Sequence, residues 1–142
     1  LAHINLGDIQ SAINDLTDAI LIDPNMAIAY GDRGAAFMRI KDYEKAVSDL
    51  GKAVNLDETY ISAYLNRGIS LFQLTQYSSA VEDYDQVLMP DSERVDVFAH
   101  LARAHTRLGL EEKVNENLQK LIDKDVDISE LSNELIELSQ TR

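Results

Sequence analysis

The sequence predicts an all-α solenoid, in which helix–turn–helix units stack along one axis and a capping helix closes the C-terminal end. Three observations predict it. Residue classes recur every 34 positions: Tyr30, Tyr64 and Phe98; Gly34, Gly68 and Ala102; Ala12, Ala46, Ala80 and Val114. Within a unit, apolar residues fall at spacings of three and four, which places them on one face of a helix. No stretch alternates apolar and polar residues as a half-buried strand does. Two further series keep the same step, Ala19, Ala53, Val87 and Leu121, and Asp23, Asp57, Asp91 and Asp125. Interleaved series that each preserve a size class mark a structural repeat.

The elements follow in order. Residues 1–26 form a partial first unit: "LAHINLG" reads as the end of a helix whose earlier turns are absent, and a second helix carries Ala12, Leu16 and Ala19 up to Pro24. Further repeats are expected before Leu1; otherwise this exposed face is expected to pack on another copy of the chain. Residues 27–60 form a full unit. Tyr30, Gly34, Phe37 and Met38 line one helix, "IKDY" breaks it, and Ala46, Val47, Leu50, Ala53 and Val54 line the next. Asp42 stands where an N-cap would satisfy free backbone N–H groups. Residues 61–94 repeat the pattern, and residues 95–126 repeat it in degenerate form. In residues 127–142, Ile128, Leu131, Leu135 and Leu138 form an apolar stripe opposite Ser129, Asn133, Glu137 and Gln140, as in a capping helix; Asp127 and Glu130 are spaced as a capping box. Two heptads are too short to favour a coiled coil.

The spacing resembles the tetratricopeptide repeat. Its aromatic-x2-L-G-x2-aromatic pattern reads Tyr30-x2-Arg33-Gly34-x2-Phe37 and Tyr64-x2-Arg67-Gly68-x2-Leu71, followed by Ala46-x3-Leu50 and Ala80-x3-Tyr84. Gly7, Ala12, Leu16, Ala19 and Pro24 match in the first copy; Phe98, Leu101 and Ala102 match in the fourth. The resemblance spans residues 1–125 and implies a right-handed superhelix of antiparallel helix pairs, used as a protein-interaction scaffold. Gly34, Gly68 and Ala102 would let the paired helices approach closely, and the aromatic series would pack between units.

Composition narrows the functions. A chain of 142 residues with 45% hydrophobic and 27% charged residues can bury one domain's core. Asp and Glu number 25 against 13 Lys and Arg, a net charge of -12. That balance opposes binding to nucleic acid or to anionic membranes, and no apolar run reaches the ~20 residues of a membrane span. Cysteine is absent, which removes disulfides and thiolate metal sites and leaves the compartment open. A cytoplasmic location is favoured without being fixed.

No catalytic constellation stands out, and no metal or cofactor is expected. Histidine occurs only as His3, His100 and His105; the last two are five apart, not the four of a zinc-binding helix pair. His105 takes the place of Phe37 and Leu71 and reads as a packing residue. The acids of "DKDVD" (123–127) lack the glycine and distal Glu of a calcium loop and read as a solvated linker.

Function is therefore expected at the surface. The resemblance implies that the first helices line a concave groove receiving a protein or peptide partner. Helical phase assigns to it Asp32, Ala35, Met38 and Arg39, then Leu65, Asn66, Ile69, Phe72 and Gln73, then Ala99, His100, Arg103, Thr106 and Arg107. The partner-binding set is Met38, Arg39, Leu65, Asn66, Ile69, Phe72, Gln73, His100, Arg103 and Arg107. Met38, Leu65, Ile69 and Phe72 make an apolar centre flanked by Arg39, Arg103 and Arg107, which suits a partner with apolar and acidic side chains. Self-assembly through the first repeat, or a regulatory segment of a larger protein, are the alternatives. Chaperone-binding members of the family hold a peptide carboxylate with Lys, Asn, Asn, Lys and Arg; here those points carry Gly31, Ala35, Asn66, Asp96 and His100, so that clamp is not expected.

Arg33 and Arg67 stand where the family has leucine, and buried they need partners. Asp15, Asp49 and Asp83 recur with the same period. Pairs joining adjacent repeats, Asp15–Arg33 and Asp49–Arg67, are expected; the competing arrangement pairs Arg33 with Asp49 inside one repeat.

Overall fold

A computed structural model describes residues 5–141, so His3 lies outside the described residues. Among those described there are eight helices and no strand: α1 (Leu6–Ile22), α2 (Ala27–Arg39), α3 (Tyr43–Leu56), α4 (Ile61–Gln73), α5 (Tyr77–Leu88), α6 (Val95–Arg107), α7 (Glu111–Asp123) and α8 (Ser129–Gln140). From α1 to α6 each helix packs on its successor. The first helices α2, α4 and α6 also lie side by side, and α8 extends that row by packing on α6 while its backbone stays clear of α7.

The turns explain the breaks between paired helices. After α2, the amide of Lys41 donates to the Met38 carbonyl and that of Asp42 to the Phe37 carbonyl, both at 2.9 Å. The same two bonds recur at Thr75 and Gln76, at Gly109 and Leu110, and after α7 at Asp125 and Val126. This is the left-handed C-terminal motif that satisfies a helix's last carbonyls. It requires positive φ, seen at Lys41 (61°), Thr75 (63°), Gly109 (70°) and Asp125 (59°). Only Gly109 takes that conformation freely; for a β-branched residue it is strained. Thr75→Gly is therefore expected to stabilise the protein by roughly 0.5–1 kcal/mol, after the extra freedom of glycine in the unfolded chain. Urea denaturation would show this as a raised midpoint, and a lowered midpoint would contradict it.

Gly7 occupies the equivalent position in the first copy and differs. Instead of ending a helix, it lies inside α1, because the Asn5 side chain caps the helix by accepting the Gly7 amide at 2.9 Å. At the start of α3, Asp42 caps as expected, accepting the Lys45 amide at 3.3 Å. The periodic aspartates shape the loops between units. Asp23, Asp57 and Asp91 accept the amides of Asn25, Thr59 and Glu93 at 3.0, 2.9 and 3.1 Å, turns in which the side chain imitates backbone. In the fourth copy the turn moves two residues on, since Asp125 is used for positive φ and Asp127 accepts from Ser129 at 2.9 Å. The capping box expected from Asp127 and Glu130 therefore does not form: Asp127 is engaged by Ser129 instead.

The small residues sit where helices meet. Ala46, Ala53, Ala80 and Ala102 are completely buried. A Cβ on Gly34 would come within 2.7 Å of the Leu50 side chain, and one on Gly68 within 2.6 Å of the Tyr84 ring. Tyr30 and Phe98 are buried, and Tyr64 packs against two neighbouring core clusters, joining units.

The arginine pairing corrects the inter-repeat expectation. Arg33 donates from Nε and Nη2 to Asp49 at 2.6 and 2.8 Å, and Arg67 donates likewise to Asp83 at 2.8 and 2.7 Å. Both forks lie within a helix pair, α2–α3 and α4–α5. The antiparallel hairpin brings a first-helix residue opposite the second-helix residue 16 positions on, closer than the aspartate 18 positions back. Arg33 also hydrogen-bonds to the preceding unit, donating from Nη1 to Thr17 Oγ1 at 3.1 Å. At the position of Thr17 the next unit has Gly51, over which Arg67 lies. The carboxylate bonds push both arginine pKa values up.

The fourth copy exchanges both charges at once. Leu101 replaces the arginine and Asn117 replaces the aspartate, and both are buried. Asn117 Nδ2 lies 2.9 Å from Nδ1 of the buried His105. Burial first, then nearby Lys113, pushes the His105 pKa below the usual histidine value, against opposing contributions from Asp85 and Glu116. Burial and then Arg103 act alike on His100. A depressed histidine pKa contributes stability at neutral pH that is lost as pH falls from ~6.5 through the folded-state value. Folding stability is expected to drop between pH 7.5 and 5.5, and His105→Leu to flatten that slope. Equal slopes for the two proteins in urea titrations would exclude His105 as a source.

Candidate partner-binding groove

The groove is built on α4 and α6. Ile69, Phe72 and Gln73 from the last turns of α4 meet His100 and Arg103 from α6 around a cavity of about 240 Å³. Tyr84 of α5 forms its floor and Glu134 of α8 one wall. Half of the predicted binding set is thus brought together. The helical phase works because both helices belong to the same row and present the same side.

Its chemistry is mixed. The His100 ring stacks on Tyr84, with centroids 5.4 Å apart, and the stack carries the cavity's π surface. Phe72 meets Tyr77 edge to face at 5.1 Å, and the Arg107 guanidinium lies over the Tyr77 ring at 5.7 Å. Burial raises the Tyr84 phenol pKa, so Tyr84 stays neutral at physiological pH. Half-buried Asn66 uses its backbone carbonyl to accept from Ser70 at 2.9 Å, while its side-chain amide makes no hydrogen bond among the described residues.

Other expected members are placed differently. Met38 and Leu65 are half-buried and pack against core clusters, so both also hold the helices together. Arg39 is exposed at a separate depression of about 450 Å³ between α1 and α2, lined also by Asp8, Ile9, Ala12 and Asp32. Ala12 is exposed there, whereas its equivalents Ala46 and Ala80 are fully buried.

Arg103 and Arg107 are half-buried and already engaged by α8 and the residues after it. Arg103 forks onto Glu134, from Nε at 2.7 Å and Nη2 at 3.1 Å. Arg107 Nη1 donates to the Leu138 carbonyl at 3.2 Å and to Thr141. Tyr84 and Glu134 are the site residues that sequence reasoning missed. Tyr84 was visible as a repeat aromatic, a packing signal. Glu134 stands 31 residues after Arg103, and Leu138 stands 31 after Arg107, one turn short of the 34 residues that separate the starts of α6 and α8.

Among the described residues, no cluster of three or more His, Cys, Asp and Glu side chains is placed to hold a metal, and no helix is long and apolar enough to cross a membrane.

Two family models match the chain: one described as TPR repeat over residues 34–75, the other as tetratricopeptide repeat over residues 1–26. The chain is a tetratricopeptide repeat protein. Solved structures extend the likeness to most of this repeat protein. A crystal structure of MamA aligns at TM-score 0.78 and 22% identity, covering 82% of this chain and 68% of the other. MamA 41-end from Desulfovibrio magneticus RS-1 aligns at TM-score 0.77 and 24% identity, covering 84% and 67%. The first TPR of Spaghetti (RPAP3), bound to HSP90 peptide SRMEEVD, aligns at TM-score 0.70 and 29% identity, covering 72% and 82%. No curated protein matches this TPR chain at a significant level.

Proposed function

We propose that this TPR chain is a non-enzymatic protein-interaction scaffold that holds a peptide or helical segment of a partner in the concave groove along α4 and α6. The supporting observation is the convergence of Ile69, Phe72, Gln73, His100 and Arg103 on one open cavity in the first-helix row. Apolar rings supply contact area, and the free Asn66 amide can both donate to and accept from a partner backbone.

A structural neighbour binds an HSP90 peptide, but a carboxylate-tail ligand does not fit this reading. The point that would carry the first clamp lysine is Gly31, over which the Tyr60 ring lies so closely that a Cβ would come within 2.4 Å of its hydroxyl. Asp96 pairs with Arg94 at 2.7 Å and keeps its negative charge. His100 is stacked on Tyr84.

Affinity capture from native extract tests the proposal. Asn66→Ala and Phe72→Ala are expected to lose partners retained by the wild type and by Asn55→Ala and Glu82→Ala, which change exposed positions on second helices. Retention by all four variants, with helicity unchanged, would reject the groove.

Self-association is a second reading, favoured by the α1–α2 depression and the exposed Ala12. Light scattering across a concentration series decides it: a mass that rises with concentration supports it, and a constant monomer mass removes it.

A further inference from the structure

The C-terminal helix does more than cover a core face. It lies against α6, the helix that supplies His100 and Arg103 to the groove, and its backbone stays clear of α7. Its contacts follow one pattern. Leu131 packs on the cluster containing Leu101 and Ala104, Glu134 forks onto Arg103, Leu135 is buried, and the Leu138 carbonyl accepts from Arg107. Spacings of three, four and seven put these residues on one helical face. The segment thus reads L-x-x-E-L-x-x-L against a surface with two arginines.

We infer that α8 is a built-in occupant of the groove's C-terminal end, and that the partner is an acidic amphipathic helix of the same chemistry, a glutamate set among leucines, which takes its place. This rests on the groove reading above and specifies the ligand.

Three features favour exchange over a permanent cap. Only Leu135 of α8 is buried, and Ile136 is 56% exposed. Between α8 and the α6–α7 pair an open cleft of about 540 Å³ remains, lined by Leu110, Val114, Leu118, Leu135 and Ile136, so that end is not closed. The anchoring charges are also imperfectly matched. Glu134 is 44% exposed, and the buried Nε of Arg107 has no hydrogen-bond partner among the described residues. A helix of 12 residues has little stability of its own in water, so α8 holds its form largely through this contact. An incoming helix with a carboxylate within reach of each arginine would satisfy both.

Charge supports this occupant. In a chain of net charge -12, Arg103 and Arg107 lie one helical turn apart on α6, and their present ligands are a carboxylate and carbonyl oxygens at a helix C-terminus. A basic helix would meet both arginines unfavourably.

The test uses the full chain and a fluorescein-labelled synthetic peptide of residues 127–142. Because the tethered α8 competes at a high effective concentration, the wild type is expected to bind the peptide weakly. Glu134→Gln, which weakens the internal fork, is expected to bind it at least tenfold tighter. The same peptide with lysine in place of Glu134 is expected to bind neither protein. Equal affinities for wild type and Glu134→Gln would overturn the inference. Hydrogen exchange on the wild-type chain at saturating peptide gives a second readout: α8 amides are expected to lose protection, and unchanged α8 protection would equally overturn it. If the peptide binds neither protein while capture still depends on Asn66 and Phe72, only the role of α8 falls. Undiminished tight binding to the Phe72→Ala chain would place the peptide outside the groove and count against both.

Discussion

Arg67→Leu is expected to destabilise the protein by about 3 kcal/mol, and adding Asp83→Asn to restore most of that loss. The cost does not come chiefly from the missing attraction. Asp83 has a side chain only 5% exposed and receives both of its hydrogen bonds from Arg67. Removing the guanidinium strands a buried carboxylate, which typically costs 3–5 kcal/mol. Replacing both partners removes the unpaired charge as well as the pair, and such exchanges are often close to neutral. The fourth repeat already holds this uncharged solution in Leu101 and Asn117, both buried. Rescue should nevertheless be incomplete, because Asn117 has His105 to bond, whereas the corresponding residue beside Asp83 is Leu71. Urea denaturation of the two single variants and the double variant measures the coupling. A double variant as unstable as Arg67→Leu would show that the guanidinium itself, not the stranded carboxylate, matters.

The second large effect concerns helix spacing. Gly34→Val is expected to cost about 3 kcal/mol, the upper end for overpacking a filled core. A Cβ at Gly34 already falls 2.7 Å from Leu50 Cγ and 3.4 Å from the Ala46 carbonyl oxygen, and Leu50 is completely buried. Valine adds two further methyl groups, so its gain in helix propensity over glycine cannot offset the clash. Leu50→Ala alone is expected to cost about 3 kcal/mol through the cavity it leaves. The two changes occupy one space, so the double variant should be more stable than the sum of the singles implies, by at least about 1 kcal/mol. Strict additivity would mean that Gly34 is small for some other reason.

The 34-residue period made the helices legible, since every break it implied between paired helices from α2 to α7 corresponds to a turn. It could not choose partners for the arginines. Asp15 and Asp49 are equally periodic relative to Arg33, and only the antiparallel hairpin, which sets the residue 16 positions ahead opposite the arginine, decides between them. The groove was partly legible for a related reason. Phase within a helix shows which side chains share a face, and this brought Ile69, Phe72, Gln73, His100 and Arg103 together. Phase does not reveal which neighbour covers that face. The stripe of Ile128, Leu131, Leu135 and Leu138 identified α8 as amphipathic without showing that it would lie on α6 and engage Arg103 and Arg107. The positive φ at Lys41 and Thr75 was hidden because neither residue favours it; closure of the helix pair imposes it.

A partner segment that docks along α4 and α6 must lie within reach of side chains on that face and out of reach of the second helices. Site-specific photocrosslinking tests this most directly. A benzophenone side chain is placed at Phe72 or Gln73 in the groove, or at Asn55 or Glu82 on second helices, and the full chain is irradiated in native extract. Adducts to the same partner are expected from positions 72 and 73 and none from 55 and 82. Adducts confined to 55 and 82 would contradict it.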